Sequence, residues 1–384
     1  MPDTLIIVAS VVLLVAILSW IIPSGTYDYQ EMNINGRIRN VAIDGTYHTI
    51  DKSEVTTTGF LGFFSVLYRG CVEAADVIFM ILCCCGTFGV VVKTGAFHAG
   101  IGTILKKLKG KEILLVPIIM MIFGLGGSVF GMASEFYGFY PLIVGLGVAL
   151  GYDAMFGFAI IAVGEFVGFM GATLNPYSVG IAQTISGVEL YSGTGYRAIC
   201  FVIFMAISII YVMIYGRKIK KNPGASVVFG EKNIHAFDRD ELNEYSFTLK
   251  DGLVLLDVLV VLVVLMLGLI KWGWDFPQLC GLFLLMSMIA AAICKWSPNK
   301  WCSEFIDSAK TAMWGCILTG IAKAITVVMQ DAQIMDTVIY GLSNVLKNAP
   351  HAVSAQVMLV VQTLINFFIP SATGQASATM PIMA

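Results

Sequence analysis

The chain has 384 residues, of which 58% are hydrophobic and only 12% are charged, and its formal net charge is −2. Because average soluble domains carry roughly 25% charged residues, this composition predicts an integral membrane protein with lipid around it. The near-neutral charge supplies no basic field, so we expect small molecules and no nucleic acid among its partners.

Apolar segments of nearly membrane length recur along the whole chain. Several of them are too short for a straight crossing, which indicates broken helices or re-entrant hairpins. The candidate membrane segments are Leu5–Ile22, Asp76–Val92, Ile113–Phe123, Phe156–Gly171, Ala198–Tyr215, Leu253–Ile270, Leu279–Cys294, Ala312–Met329 and Val357–Ile369.

The first segment and the polar loop after it set the orientation. No basic region precedes Leu5, so we interpret this segment as a retained helix rather than a signal peptide. Residues 24–74 hold more acidic than basic side chains, with hairpin-like turns at Asn35-Gly36 and Asp44-Gly45. By the positive-inside rule this loop lies outside and the N-terminus is cytoplasmic. Residues 1–97 then form the scaffold helices of a first repeat.

The next two segments lead back from the cytoplasmic face into the membrane. Residues 98–111 place apolar side chains on one face and lysines elsewhere, which is typical of a helix lying on the cytoplasmic interface. Residues 112–151 contain no Lys or Arg, yet glycines and Pro141 interrupt them. A hairpin that enters and leaves on one side explains this pattern better than two straight crossings.

The transport part of the first repeat is predicted to extend over residues 112–215. After the hairpin it contains a broken helix at residues 155–187 and a returning span at residues 198–215. The basic residues that follow identify residues 216–250 as a cytoplasmic linker.

The second half repeats this order of elements. Residues 251–332 are predicted to be scaffold helices, residues 333–348 an external interfacial helix, and residues 352–384 the start of a second hairpin. The positive-inside rule gives these elements the opposite direction, so the repeats are inverted. We therefore expect an all-α membrane protein with inverted repeats, re-entrant hairpins and broken helices, whose second repeat is incomplete in this chain.

One short pattern, Ser-x-x-Gly-x-Ala-Ser, stands in both predicted hairpins, at Ser128–Ser134 and at Ser371–Ser377. Small residues and hydroxyls leave backbone amides accessible at a hairpin tip, and such a tip suits a carboxylate or Na⁺. The alternative is close packing of helices through small residues. The candidate binding residues of the two tips are Ser128, Gly131, Ser134, Ser371, Thr373, Gly374, Ser377 and Thr379.

A second cue for binding is the sequence Thr173-Leu-Asn175-Pro176 inside an apolar segment. Proline removes an amide and disfavours helix at the residue before it, so Asn175 and Thr173 are expected at a break with free carbonyls. Thr173, Asn175 and Pro176 are therefore candidate substrate or ion ligands. A kink satisfied by neighbouring helices is the alternative.

Three charged residues in the apolar segments are candidates for coupling or for pairing. Glu135 directly follows the first tip and is predicted to carry a coupling proton, to face a substrate ammonium or to pair with a lysine. Glu165 lies roughly 15 Å before Asn175 along a helix, which favours a less central role. Lys323 requires an acidic neighbour or a substrate carboxylate.

These features favour a secondary active carrier over two other classes. A passive anion channel would need a continuous polar pore, and an intramembrane enzyme would need converging His or acidic residues. The sequence contains no His-Glu-x-x-His motif and no Cys-x-x-Cys pair. We predict no enzyme, no cofactor and no metal apart from Na⁺ or H⁺ as the coupling ion.

Six stretches resemble the YfcC-like group of the C4-dicarboxylate anaerobic carrier (DcuC-like) family, in the ion transporter superfamily. They are WIIPSGTYDY at Trp20–Tyr29, FGLGGSVFGMASE at Phe123–Glu135, GYD at Gly151–Asp153, ATLNPYSVGIAQ at Ala172–Gln183, DTVI at Asp336–Ile339 and IPSATGQASATMPIMA at Ile369–Ala384. Two residues depart from the pattern, since Ser134 stands where a second acid is expected and Lys323 where an arginine is common.

The resemblance implies a bacterial inner-membrane carrier, usually a homodimer, that works by an elevator-like movement. It implies that both tips and the break hold a small carboxylate-bearing substrate, a C4-dicarboxylate or an amino acid, together with the coupling ion. A basic amino acid antiporter of the same fold is the alternative function.

Overall fold

A computed structural model describes residues 3–34, 37–108, 112–230, 247–347 and 353–383. Most of the described residues are helical. The α-helices are α1 (Thr4–Ile21), α2 (Phe60–Glu73), α3 (Ala75–Lys93), α4 (Ala96–Leu108), α5 (Leu115–Leu125), α6 (Tyr140–Ala149), α7 (Ala154–Met170), α8 (Ile181–Ile185), α9 (Thr194–Lys221), α10 (Leu249–Lys271), α11 (Phe276–Ile293), α12 (Pro298–Lys310), α13 (Met313–Asp331), α14 (Met335–Lys347), α15 (Ser354–Phe368) and α16 (Ala372–Met383).

The loop predicted at residues 24–74 is more structured than expected, and the fold is therefore not purely helical. Two antiparallel sheets of two strands each occupy its first part. The strands are β1 (Ser24–Thr26), β2 (Tyr29–Ile34), β3 (Arg37–Ala42) and β4 (His48–Ile50). Helix α2 forms its second part, since the apolar residues of FLGFFSVLY suit a helix beside lipid: Phe60, Leu61 and Phe64 are exposed, while Val66 is buried. The predicted Asn35-Gly36 turn lies outside the described residues.

Side-chain caps explain where several helices begin. Asp3 accepts the amide of Leu5 at the start of α1, and Asp153 accepts the amide of Phe156 at 2.7 Å at the start of α7. A capping box of Thr248 and Asp251 starts α10. Each cap satisfies an amide that the first helical turn would otherwise leave without a partner.

Six of the described helices are long and apolar enough to cross a membrane, namely α1, α3, α9, α10, α11 and α13. Large apolar side chains along them are exposed in the isolated chain, for example Ile17 and Ile21 on α1 and Ile207 and Ile210 on α9. Lipid is the environment in which such a surface is stable, so the molecule is a multi-pass membrane protein.

All nine candidate membrane segments correspond to helices, which confirms the predicted order. Their ends differ, because apolar character marks only the part of a helix that meets lipid or core. Helix α9 continues through Lys221 into the predicted linker, and α10 begins before that linker was predicted to end. Parts of the interfacial segments at 98–111 and 333–348, and residues 231–246 of the linker, lie outside the described residues.

Matching helix lengths support the internal duplication. Helices α3 and α13 have 19 residues each, and a further amphipathic helix follows each of them, α4 and α14. One residue in the short link between the two helices of each pair has a left-handed backbone, Gly95 with φ 85° and Gln333 with φ 47°. Helices α2 and α12 precede them with 14 and 13 residues. This order of helices agrees with the predicted overlay of the second half on the first, which stays a prediction.

The chain forms two compact units. The first contains Met1–Ile78, Pro176–Ser192 and Trp314–Ala384, and the second contains Phe79–Asn175 and Gly193–Met313. These borders differ from the predicted scaffold and transport parts, because helices of one repeat pack on helices of the other. The division falls between Asn175 and Pro176, inside the interrupted helix.

In the first unit, α2 of the first repeat packs on α13 of the second. A β-carbon added at Gly70 would lie 2.5 Å from the carbonyl oxygen of Gly320 and 2.7 Å from the amide nitrogen of Ala324. Arg69 forms an ion pair with Asp331 at the end of α13. The absence of side chains at both glycines allows the two backbones to touch.

In the second unit the pairing is reciprocal, with α12 packed on α3. A β-carbon at Gly86 would lie 2.6 Å from the ring of Phe305, and Lys93 at the end of α3 forms an ion pair with Glu304. The core of this unit is apolar and includes the fully buried Phe88 and Phe283, whose ring centroids are 5.9 Å apart.

Candidate functional site

The first tip is an irregular turn within the second unit. Helix α5 passes into one π-helical segment, Gly126–Phe130, and the chain reverses at Gly131, whose φ of 69° is left-handed. A 3₁₀ segment, Ser134–Phe139, follows. Only glycine adopts the left-handed conformation without steric cost, so Gly131 fixes the tip.

The interruption predicted from Thr173-Leu-Asn175-Pro176 lies between α7 and α8. Helix α7 ends at Met170, residues 171–175 are not helical, and a π-helical segment starts at Pro176. Proline has no amide to continue the α7 ladder, and it restricts Asn175 to a non-helical conformation.

Within the second unit, Ser128 of the tip is bonded to the residues after α7. Its backbone carbonyl accepts the amides of Thr173 at 2.9 Å and Leu174 at 3.2 Å. Its hydroxyl donates to the carbonyl of Gly171 at 2.9 Å and lies 3.1 Å from the Thr173 hydroxyl. Ser128 is completely buried. The tip and the break therefore satisfy each other's backbone polar groups.

Asn175 completes this junction from the other side. Its side-chain amide donates to the carbonyl of Gly127 at 3.1 Å, and the residue is completely buried. A β-carbon at Gly127 would lie 2.7 Å from the carbonyl oxygen of Glu165 on α7. The tip backbone thus lies directly on α7, and Glu165 is closer to the tip than its distance in sequence from Asn175 indicates.

Two acidic side chains are buried in the same unit. Glu135 is 8% exposed and accepts the amide of Ala133 at 2.9 Å, and Glu165 is 2% exposed and accepts the Tyr140 hydroxyl at 3.1 Å. Neither forms an ion pair within the described part of the chain. The predicted pairing of Glu135 with a lysine is therefore not observed there. A buried carboxylate in this state needs a proton or a cation.

The second copy of the pattern has a different local structure. Thr373, Gly374 and Ser377 lie in α16, and Ser371 precedes that helix with its hydroxyl accepting the amide of Gly374 at 3.2 Å. The Ser377 hydroxyl donates to the carbonyl of Thr373 at 2.9 Å. From Gln375 onward the amides of this copy enter helical hydrogen bonds, and the Ser371 hydroxyl accepts that of Gly374, so accessible amides are expected only at the very start of α16.

Within the first unit, α16 contacts the continuation of the interrupted helix. The hydroxyl of Thr373 donates to the carbonyl of Tyr177 at 3.0 Å. Farther along α16, the buried Thr379 accepts the side-chain amide of Gln362 at 3.2 Å. The second copy therefore also touches the residues after Pro176, although it does so through a helix.

Lys323 of α13 is predicted to have an acidic neighbour or to face a substrate carboxylate, and among the described residues the acidic partner is not observed. The residue is half-buried and forms no ion pair with any described residue. The structure also shows, within its described ranges, no group of three His, Cys, Asp or Glu that could hold a metal ion.

The sequence prediction missed Arg197, near the start of α9. Its guanidinium Nη2 donates to the carbonyl of Thr173 at 3.2 Å, directly at the junction of tip and break. A sequence signal was present, because Arg197 is the only Lys or Arg between residues 112 and 216.

Comparison with known proteins agrees with these features. The family model of the C4-dicarboxylate anaerobic carriers, DcuC, matches residues 1–384. YfcC of Escherichia coli (strain K12), named as a candidate basic amino acid antiporter, is 30% identical over 419 residues, which cover 100% of this chain and 82% of YfcC. An uncharacterised protein of Haemophilus influenzae is 28% identical over 425 residues, covering 100% of this chain and 83% of that protein.

Two solved structures show a weaker likeness. The YdaH transporter of Alcanivorax borkumensis has a TM-score of 0.45 at 12% identity, covering 99% of this chain and 82% of that chain. MtrF of Neisseria gonorrhoeae, described with a class of antimetabolite efflux pumps, has a TM-score of 0.48 at 15% identity. The match covers 100% of this chain and 80% of that chain. The match of the family model over the whole chain shows that the protein belongs to the C4-dicarboxylate anaerobic carrier family and is a membrane transporter.

Proposed function

We propose that this transporter is an ion-coupled secondary active carrier for a small carboxylate-bearing metabolite, a C4-dicarboxylate or an amino acid, in the bacterial inner membrane. The observation that carries the proposal is the junction of Ser128, Thr173 and Asn175. A buried hydroxyl, amide and carbonyl cluster at two broken helices binds ions and carboxylates in carriers of broken-helix construction. The second tip, Ser371–Ser377, is proposed as a further binding element.

The coupling ion is proposed to interact with the buried acids. Glu135 and Glu165 lie in the same unit as the junction, and neither forms an ion pair with a described residue. Protonation or Na⁺ would remove the cost of burying their charge. Cycles of binding and release at these acids would link the ion gradient to movement of the substrate.

We further propose that the carrier works by alternating access through an elevator-like movement. The proposed assembly is a homodimer, and the N-terminus is proposed to be cytoplasmic. This proposal is supported by the family and by the two repeats, in which the corresponding helices α3 and α13 have 19 residues each. A carrier built from inverted repeats has two related conformations that open to opposite sides.

A basic amino acid antiporter is the second candidate function. Two observations favour it: the similarity to YfcC, and two buried carboxylates of the kind that would face a cationic side chain. A dicarboxylate, by contrast, would be repelled by these acids unless they were protonated or bound to a cation.

Counterflow in proteoliposomes containing the full-length protein separates these functions. Vesicles preloaded with unlabelled succinate or L-arginine are given the same compound in labelled form, with and without Na⁺. Trans-stimulated succinate uptake supports the leading proposal, and trans-stimulated arginine uptake supports the antiporter. Uptake without trans-stimulation would indicate a channel and contradict both.

A further inference from the structure

Arg197 has an unusual environment for a basic residue of a membrane helix. Its Nη2 atom donates to the Thr173 carbonyl at 3.2 Å and to the Thr194 hydroxyl at 3.3 Å. Its Nε atom is buried and has no hydrogen-bond partner. Within the described residues no carboxylate pairs with it.

The position of Arg197 in α9 makes its charge more costly. It lies in the first turn of the helix, which contains no acidic residue. The helix dipole places positive partial charge at this end, so a cation here is disfavoured. An arginine whose side chain only extended to the membrane–water interface would keep its guanidinium, including Nε, in water. The Nε of Arg197 is instead buried. Among the described residues, nothing compensates this positive charge beside the first tip.

We propose that Arg197 binds a carboxylate group of the transported substrate. This inference rests on the proposed function, which includes a carboxylate-bearing substrate. Nη2 is held by Thr173, whose hydroxyl and amide are bonded to Ser128, so the guanidinium is positioned relative to the tip. A carboxylate oxygen that reaches Nε would give this N–H its partner and neutralise the charge.

The same residue would separate substrates by charge. Thr173 provides only a carbonyl to the guanidinium, and a carbonyl does not neutralise it. A ligand in which the carboxylate is replaced by a neutral amide would leave the positive charge uncompensated. Arg197 therefore selects for a carboxylate over its amide isostere, whichever molecule carries it.

Ligand binding to the purified full-length protein tests this role without requiring transport. Affinity is measured from the rise in unfolding temperature with succinate, L-aspartate, L-ornithine and the neutral succinamide. We expect at least one carboxylate to stabilise the wild type, and succinamide to do so at least tenfold more weakly than succinate. Arg197→Gln should lower the affinity for the most tightly bound carboxylate at least tenfold. Arg197→Lys should lower this affinity less, because lysine keeps the charge and loses only the planar guanidinium.

Arg217→Gln is the matched control, since Arg217 is exposed and lies near the other end of the same helix. It should bind the carboxylate with wild-type affinity. The inference is overturned if no carboxylate stabilises the wild type, if succinamide binds as well as succinate, or if Arg197→Gln lowers only the ligand-free unfolding temperature. Carboxylate binding through Arg197 without counterflow would instead contradict the proposed transport of that compound.

Chemical modification of the wild type covers the case in which Arg197→Gln does not fold. Phenylglyoxal reacts with arginine side chains, and mass spectrometry reports the extent at each site. The bound carboxylate should slow modification of Arg197 severalfold and leave that of Arg217 unchanged. Equal rates at Arg197 with and without the ligand would overturn the inference.

Discussion

The two copies of Ser-x-x-Gly-x-Ala-Ser share a sequence pattern but have different backbones. In the first copy, the carbonyl of Ser128 accepts the amide of Thr173 from another part of the chain at 2.9 Å. In the second copy, the equivalent carbonyl of Ser371 accepts the amide of Gln375, four residues on, at 2.8 Å. A distant donor draws the first copy into an irregular turn, and a local donor makes the second copy a helix.

This difference shows that small residues and hydroxyls permit either structure and select neither. Gly131 has a left-handed backbone, while Gly374 lies in α16 without one. Glycine tolerates both conformations, so the choice depends on which hydrogen-bond partner the rest of the fold provides. The first copy is thereby fixed to the interrupted helix, and its substitutions should have the larger effects.

The largest expected effect is that of Asn175→Ala on transport. Removing the buried side chain leaves the Gly127 carbonyl without this donor, which costs about 1–3 kcal/mol. We expect initial uptake in proteoliposomes to fall by roughly ten- to a hundredfold. Asn222→Ala, at an exposed amide after α9, is the control and should retain wild-type uptake. Unchanged uptake by a folded Asn175→Ala protein would remove the first tip from the binding site.

The second largest effect is expected on ion-coupled accumulation when the buried acids near the first copy, Glu135 and Glu165, are neutralised. Ala378 stands at the position that corresponds to Glu135. Glu135→Gln and Glu165→Gln keep the shape of the side chain and remove its charge, so each should lower gradient-driven accumulation about tenfold. Glu189→Gln, at an exposed acid, should accumulate substrate normally. Wild-type accumulation in both buried variants would place ion coupling elsewhere.

A matched pair of glycine substitutions tests the backbone difference directly. Gly131→Ala should destabilise the protein by about 1–2 kcal/mol, because alanine is strained at φ 69°. Gly374→Ala should be neutral or stabilising by up to about 1 kcal/mol, because alanine favours helix and meets only ordinary contacts there. Unfolding in detergent, followed by tryptophan fluorescence, measures both. Equal losses would mean that the two tips have the same conformation.

The first serine of each copy gives a smaller contrast. Ser128→Ala removes a buried hydroxyl that donates to the Gly171 carbonyl, and we expect a loss of about 1–3 kcal/mol. Ser371→Ala removes an exposed cap of the Gly374 amide and should cost about 1 kcal/mol. The same unfolding measurement compares them. A larger loss for Ser371→Ala would reverse the comparison between the copies.

The smallest effects are expected where the repeats agree. Arg69 pairs with Asp331 and Lys93 with Glu304, and in each pair the basic side chain is nearly half exposed. Exposed ion pairs contribute about 0–1 kcal/mol, so Arg69→Gln and Lys93→Gln should each have a loss in that range. A loss well above this in only one variant would show that the reciprocal contacts are not equivalent.

Apolar length and breaking residues were sufficient to predict the helices that lie in the membrane. Nine segments and the interruption before Pro176 follow from local properties, since lipid contact requires apolar side chains and proline cannot continue a helical ladder. Helix α2 was missed because the polar residues of 24–59 dominate the composition of that region. The strands were missed because each is short and only partly apolar.

Tertiary structure alone decided which polar residues meet. Arg197 and Thr173 are 24 residues apart, and no periodicity relates them, yet a hydrogen bond joins them. Glu165 belongs beside the first tip because the backbones of α7 and Gly127 touch, which depends on packing rather than on its separation from Asn175. Long-range contacts of this kind depend on the path of the whole chain.

The sequence by itself determined that the protein is a duplicated, mostly helical membrane transporter with a broken helix, because hydropathy, proline and repeated motifs act over a few residues. Only the tertiary structure decided that the first copy of the motif is an irregular tip and the second a helix. The physical reason is the donor that reaches each serine carbonyl, Thr173 from a distant segment or Gln375 from the next turn.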